Sequence, residues 1–181
     1  MSITTDPFAV LAEIEAKSKA LAEGLPAQED VIELWNGIGF SLAGLNFVAA
    51  MGEVVEILPV PRFTQIPGVK TWMQGVANVR GRLLPIMDLT SFFELPQQTR
   101  SSTRNRRVLV IEQGDVFSGL IVDGVLGMQY FPVDSFQKDA PDIPEVLRPY
   151  VSGFYARSNE RWIVFDTTSL VADSNFINVA Q

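Results

Sequence analysis

A chain of 181 residues that is 47% hydrophobic and 19% charged has the balance of a globular domain, able to bury about 70% of its unfolded surface without a disulfide or metal staple. It contains neither Cys nor His, which excludes Ser-His-Asp and Cys-His nucleophilic catalysis and a phosphorylated histidine, and leaves only carboxylate sites suited to hard ions. The net charge of −7 disfavours general nucleic-acid binding, yet it is unevenly placed: residues 1–36 hold two Lys and seven Asp/Glu, giving −5, and residues 62–107 hold eight Lys/Arg and two Asp/Glu, giving +6.

Opposite signs in the middle and at the ends fit protein docking surfaces, and fit equally a barrel with loops of mixed charge. The first 20 residues carry Asp6, Glu13 and Glu15 and do not read as a secretory signal. No apolar run approaches the roughly 18 residues that span a bilayer. A soluble protein without membrane insertion is therefore expected, and the lack of Cys is compatible with a reducing cytoplasm.

The first element is a helix marked at both ends. Asp6 can cap it, Pro7 suits its first position, and Gly24 followed by Pro26 stops it. Val10, Leu11, Ile14 and Leu21 form an apolar stripe among Glu13, Glu15, Lys17, Lys19 and Glu23. Covered by the barrel or by a partner, that stripe would hold an accessory docking element, and the same residues serve either outcome. Residues 25–36 read as a linker ending near Trp35.

From Gly37 onward, short β-branched and aromatic runs alternate with Gly, Pro, Asn and Asp, the pattern of an all-β barrel or sandwich. Ten strands are expected, at 38–43, 46–50, 54–58, 75–79, 83–88, 108–113, 117–122, 125–131, 151–155 and 162–165. Turns fall at Gly44, Arg80-Gly81, Gln113-Gly114-Asp115 and Ser158-Asn159-Glu160, with Asp123-Gly124 as a hairpin turn or a bulge. Short helices are expected at 89–94 and 168–172. The stretch 97–107, with Arg100, Arg104, Arg106 and Arg107, reads as an exposed basic connection rather than a binding patch.

Enzyme signatures fail on inspection. Gly37-Ile38-Gly39-Phe40-Ser41-Leu42 lacks the third Gly of a dinucleotide loop and opens a strand. Glu56, Asp88, Asp123 and Asp166 lie at strand edges or turns, with no spacing that pairs two as acid and base. No cofactor is implied.

The informative stretch runs from Gly75 to Leu89 and reads as a hairpin whose two hydrophobic arms enter the core. Gly81 reverses the chain and Arg80 and Arg82 project from the tip. Pro85 restricts the second arm to an edge, a bulge or a non-bonding position. Asp88 can cap the helix beginning at Leu89.

Asn78-Val79-Arg80-Gly81, followed by Pro85 and Asp88-Leu89, resembles the NxRGxxxPxxDL signature of CheW-like coupling domains. Phe47-Val48-Ala49 through Val54-Val55-Glu56-Ile57, Ile66-Pro67-Gly68 through Gly75, and Gly119-Leu120-Ile121-Val122-Asp123-Gly124-Val125 resemble further family segments, so the likeness runs from about residue 38 to 172. The segment Gly24-Leu25-Pro26-Ala27-Gln28 and Trp35 to Phe40 is similar to the PilI branch associated with type IV pilus twitching motility. The chain departs from the family pattern in an Arg-bearing insertion before Val108 and in a longer turn at Arg157-Ser158-Asn159-Glu160-Arg161.

The resemblance implies two five-stranded SH3-like barrels sharing a hydrophobic core, divided as helix and linker 1–36, CheW-like domain 37–175 and tail 176–181. It implies a non-catalytic adaptor joining the regulatory domain of a CheA-type histidine kinase to the cytoplasmic tip of a methyl-accepting chemoreceptor. Gly75, Asn78, Arg80 and Gly81, with Val54 and Glu56 on a neighbouring strand, are the implied coupling residues. Gly119, Val122 and Gly124 are implied to lie near a kinase-contacting barrel, although the same glycines would serve barrel curvature alone. Three alternatives remain at this point. One is a CheW-type protein of flagellar chemotaxis. Another is a carboxylate- and metal-dependent enzyme on a β-barrel. The third is a nucleic-acid binder using the loop from Arg100 to Arg107, which predicts steeply salt-dependent binding.

Overall fold

A computed structural model describes residues 7–21, 32–96, 105–139 and 142–181. The chain divides into two units, Met1–Glu33 and Leu34–Gln181. In the first, α1 (Pro7–Leu21) carries two exposed ion pairs at helical spacing, Lys17–Glu13 at 2.8 Å and Lys19–Glu15 at 2.7 Å. Val10, Leu11 and Ile14 of the expected stripe are exposed. The cap at Asp6 and the stop at Gly24 and Pro26 lie outside the described residues.

The second unit contains β1 (Leu34–Leu42), β2 (Leu45–Ala50), β3 (Val54–Pro59), β4 (Met73–Val79), β5 (Arg82–Asp88), α2 (Leu89–Phe92), β6 (Arg107–Gln113), β7 (Val116–Val122), β8 (Gly124–Pro132), β9 (Phe136–Gln137), β10 (Val151–Arg157), β11 (Glu160–Phe165), α3 (Thr167–Ala172) and α4 (Ser174–Ile177). All ten expected strands are present. The addition is β9, a two-residue strand whose pairing with Phe154 and Tyr155 no local pattern announces. The expected linker also ends sooner. Leu34, Trp35 and Asn36 pair with Pro132, Phe131 and Tyr130 of β8, a partnership formed across nearly 100 residues.

Two sheets result, a six-stranded one in the order β8-β1-β2-β11-β10-β9 and a five-stranded one in the order β3-β6-β7-β5-β4. The five-stranded sheet closes on itself through a backbone bridge. In the five-stranded sheet, Thr64, beyond the end of β3, exchanges two 2.9 Å backbone hydrogen bonds with Val76 of β4. In the six-stranded sheet the outermost strands β8 and β9 are joined by one short turn, Val133–Ser135, so the chain steps from one edge to the other. Closure leaves few unpaired strand edges.

The hydrophobic residues sort into three cores. Ala77, Leu84, Ile86, Val108, Val110 and Ile121 fill the five-stranded barrel. Val48, Phe131, Tyr155, Trp162 and Val164 fill the six-stranded one. The largest cluster lies between them and draws Phe40, Phe47 and Phe165 from one sheet and Leu109, Ile111 and Leu120 from the other. Phe40 and Phe47 stack at 5.4 Å and Phe165 meets both edge-on. Each fully buried side chain of this size contributes about 1.5–3 kcal/mol, so the barrels are joined by core packing rather than a flexible seam. Residues 176–181, expected as a tail, begin with the fully buried Phe176, which stacks on Trp72 at 6.0 Å, and Ala180 bridges to Val69.

The turns follow their chemistry. Ala43-Gly44, Arg80-Gly81 and Ser158-Asn159 have positive φ at both central residues, as two-residue I′ hairpins require. Asp123-Gly124 is neither a hairpin turn nor a bulge but the crossing from β7 in one sheet to β8 in the other. The Asp123 carboxylate accepts a 2.8 Å hydrogen bond from the Ala43 N–H, and its own N–H donates to Ser41. Of the basic connection, 97–104 lies outside the described residues, and Arg106 is half-buried against Asp88 at 2.6 Å.

Candidate docking surface

The β4–β5 hairpin pairs Val79 with Arg82 and Asn78 with Leu83, which leaves Arg80 and Gly81 as the two turn residues, at φ 51° and 83°. The Asn78 side-chain oxygen accepts the Gly81 N–H at 2.9 Å, so Asn78 clamps the turn rather than merely decorating it. Arg80 is thereby held at the tip with its side chain 79% exposed, and its guanidinium meets the Glu56 carboxylate of β3 at 2.6 Å. Two of the implied coupling residues, 24 positions apart in sequence, are thus in direct contact.

The implied coupling residues do not all share this surface. Val54 pairs with Ile111 on the far side of an irregularity in β3 and packs on the shared core. Gly75 is buried at a bulge in β4, at φ 147°, and a β-carbon there would lie 2.2 Å from the Thr64 carbonyl oxygen. Its role is to let the closing bridge approach. Gly119 and Val122 are buried, and a β-carbon on Gly119 would sit 2.7 Å from Val108 Cγ1. Gly124 is half-exposed at the crossing between sheets.

The expectation that both arms of the hairpin enter the core needs correction at Leu83. That side chain is 70% exposed, whereas Leu84 and Ile86 are fully buried, because neighbouring residues on a strand must face opposite sides. Val55 and Ile57 of β3 are exposed as well. Beside Arg80, Arg82 makes a two-armed pair with Glu112 at 2.9 and 3.4 Å and lies 3.8 Å from the Phe117 ring centre. The hydrogen bond from Arg82 holds the Glu112 carboxyl below its usual range. Of these positions only Arg82 was expected at the hairpin tip from the sequence; Leu83, Glu112 and Phe117 were not singled out. The available signal was the apolar residue at an outward position of an alternating strand.

Beneath the hairpin, Pro85 opposes Val76, whose N–H and C=O both turn away to Thr64. It sits one residue before β5 begins to pair with β7, so its missing N–H is not needed on either side. Asp88 accepts from the N–H groups of Thr90 and Ser91 at the start of α2, as expected. It also binds Arg106, with side-chain exposures of 5% and 23%.

Chemically, the surface offers two exposed guanidinium groups already facing carboxylates, with the exposed Leu83 next to Arg82 on β5. That arrangement suits recognition. Among the described residues no group of three or more acidic side chains is placed to hold a metal ion.

The model of the CheW-like domain matches residues 36–175. The chain is 50% identical over 180 residues to Protein PilI of Pseudomonas aeruginosa, covering 99% of both. It is 28% identical over 146 residues to the chemotaxis protein CheW of Klebsiella aerogenes, covering 78% of this chain and 86% of that protein. The crystal structure of the scaffolding protein TtCheW from Thermoanaerobacter tengcongensis superposes with a TM-score of 0.65 at 23% identity, over 74% of this chain and 90% of that one. With the paired barrels and the Asn78 to Leu89 hairpin already in place, these likenesses settle the lineage: the chain belongs to the CheW-like domain family.

Proposed function

We propose that this protein is the non-catalytic coupling adaptor of a chemosensory pathway controlling type IV pilus twitching motility, joining a methyl-accepting chemoreceptor's cytoplasmic tip to the regulatory domain of a CheA-type histidine kinase. The observation that carries the reading is the 50% identity to PilI over 99% of both chains. It takes in the segment ahead of the CheW-like domain, whereas the CheW relatives of Helicobacter pylori, Klebsiella aerogenes and Bacillus subtilis match 66%, 78% and 48% of this chain.

The β4–β5 tip is the receptor-facing surface in this reading, with Arg80 as its principal contact and Glu56 as its resting partner. An exposed ion pair contributes about 0–1 kcal/mol, so Arg80 loses little when it leaves Glu56 for a carboxylate on a partner. In a desolvated interface the same guanidinium is worth several times more. Asn78 and Gly81 act by presenting it, and Gly75 by keeping the barrel closed beneath it. The location is cytoplasmic, at membrane-associated receptor arrays. Among the described residues no helix is long and apolar enough to cross a membrane.

The test is Arg80→Glu. It places a carboxylate opposite Glu56 at a largely exposed site, so the unfolding free energy should change by no more than about 1 kcal/mol. Co-sedimentation with receptor fragment and kinase should fall at least tenfold. Wild-type assembly by a folded Arg80→Glu protein would remove the tip from the docking surface.

A further inference from the structure

One end of the six-stranded barrel is open. There β1 begins, β2 and β11 end and β10 starts, and the side chains leave a cavity of about 370 Å³. Its walls are aromatic. Trp35 stacks on Tyr155 at 5.2 Å, and Phe136 meets the same Tyr155 ring at 5.3 Å and 59°. Its polar lining includes two carboxylates, Glu53 from the β2–β3 turn and Asp166 at the end of β11. This site is remote in the chain from the β4–β5 hairpin and uses none of its residues.

The two carboxylates differ in what they already bind. Asp166 is committed to the first turn of α3, accepting from the Ser169 N–H at 3.1 Å and from the Ser169 hydroxyl at 2.7 Å. Glu53 reaches Thr167 in the same turn, but its Oε2 is buried with no hydrogen-bond partner. Burial, reinforced by the nearby Asp166 charge, pushes the Glu53 carboxyl up. Among the described residues neither carboxylate is in an ion pair. An unsatisfied buried acceptor is destabilising, and such groups in a native fold call for an explanation.

Aromatic rings and two carboxylates without a cationic partner around an open barrel mouth select for one ligand chemistry. An anion is repelled by the carboxylates, and a neutral apolar ligand leaves Glu53 unsatisfied. A hard metal ion needs six or more oxygens, which an aromatic wall does not supply. A cation on an aliphatic stem suits both halves of the lining, its charge attracted by ring faces and carboxylates and its stem covered by the walls. The volume lies at the low end of the roughly 300–1,000 Å³ typical of ligand pockets, and barrel mouths are a favoured place for them.

We propose that the mouth of the six-stranded barrel is a binding pocket for an organic cation, a guanidinium or ammonium group carried on a short aliphatic stem. The source is either a free amine or an Arg or Lys side chain of a bound protein. The inference stands independently of the coupling function.

The full-length protein, labelled with ¹⁵N, is titrated with butylguanidinium, with its neutral isostere butylurea, and with N-acetyl-arginine N-methylamide, following the Trp35 indole N–H and the Glu53 and Asp166 amides. Butylguanidinium should give saturable shifts confined to this mouth, with butylurea at least tenfold weaker, a difference of about 1.4 kcal/mol. Glu53→Gln, which retains an oxygen for Thr167, should lose about tenfold for the cation and little for the urea. Binding of the capped arginine as well as butylguanidinium assigns the pocket to a partner's side chain, and binding of butylguanidinium alone assigns it to a free amine. Equal shifts from urea and guanidinium, shifts that never saturate, or an unchanged affinity in folded Glu53→Gln would each overturn the proposal, and the urea comparison on the wild type needs no variant to fold.

Discussion

Gly75 separates two explanations of a coupling defect, and its substitution by alanine can be worked through from the structure. At φ 147° an L-residue is strained, at about 1–2 kcal/mol for a sparsely populated backbone region. The added methyl would also lie 2.2 Å from the Thr64 carbonyl oxygen and 2.8 Å from its carbon, and backbone there cannot yield without opening the barrel. The two Thr64–Val76 hydrogen bonds contribute about 1 kcal/mol each. Gly75→Ala should therefore destabilise by roughly 3–4 kcal/mol, lowering the thermal midpoint by about 6–16 °C for a chain of this size. Gly81→Ala is the control, because its φ is 83° with open space where the β-carbon would go. The cost there is about 1 kcal/mol of left-handed backbone alone. Urea unfolding of both variants measures the difference. If Gly75→Ala unfolds within about 1 kcal/mol of wild type, the bridge to Thr64 is not what demands glycine, and a direct contact role returns.

Asp88→Ala removes the cap of α2 and strands Arg106 beside a buried site; the expected loss is about 3–5 kcal/mol in urea unfolding, with Asp88→Asn intermediate because it keeps an acceptor for Thr90 and Ser91. Tyr150, buried and donating its hydroxyl hydrogen to Asp173, has its pKa pushed up to about 12. Since the unfolded phenol ionises near 10, this raised value contributes stability that is complete below pH 10 and is lost between pH 10 and 12. Ultraviolet titration should show a phenol ionising near 12 that Tyr150→Phe abolishes. Deleting residues 1–30 should leave the β signal and cooperative unfolding of the Leu34–Gln181 unit unchanged while weakening assembly with kinase or receptor. An insoluble truncation would make the helix part of the fold.

What was legible in the sequence was local. The ten long strands announced themselves by alternation and bounding turn residues, and the Arg80-Gly81 turn and the Asp88 cap follow from residue chemistry within four positions. Contacts made across the chain carried no such signal. Glu56 and Arg80 meet because β3 lies near the hairpin tip in the closed barrel, and Gly75 is required by Thr64, a residue in a stretch with no strand pattern of its own. Leu83 was misplaced because a pair of adjacent leucines reads as core until the register decides which one faces in. The aromatic mouth draws on β1, β9, β10 and two turns, so no segment of the sequence contains enough of it to be seen.

The order of the strands also has a consequence for how the chain is made. β1 and β2 have β8 and β11 as their neighbours on either side, while the whole five-stranded barrel lies between them in sequence. On the ribosome, β3 to β7 can close as soon as they emerge. The first hairpin, with Val48 on the face that fills the six-stranded barrel, has to wait for β11. At translation speeds of about 5–20 residues per second that delay is on the order of ten seconds. During it the nascent chain carries the unpaired edge of β2 and the uncovered Val48 beside a finished barrel, a species for which chaperones and self-association compete.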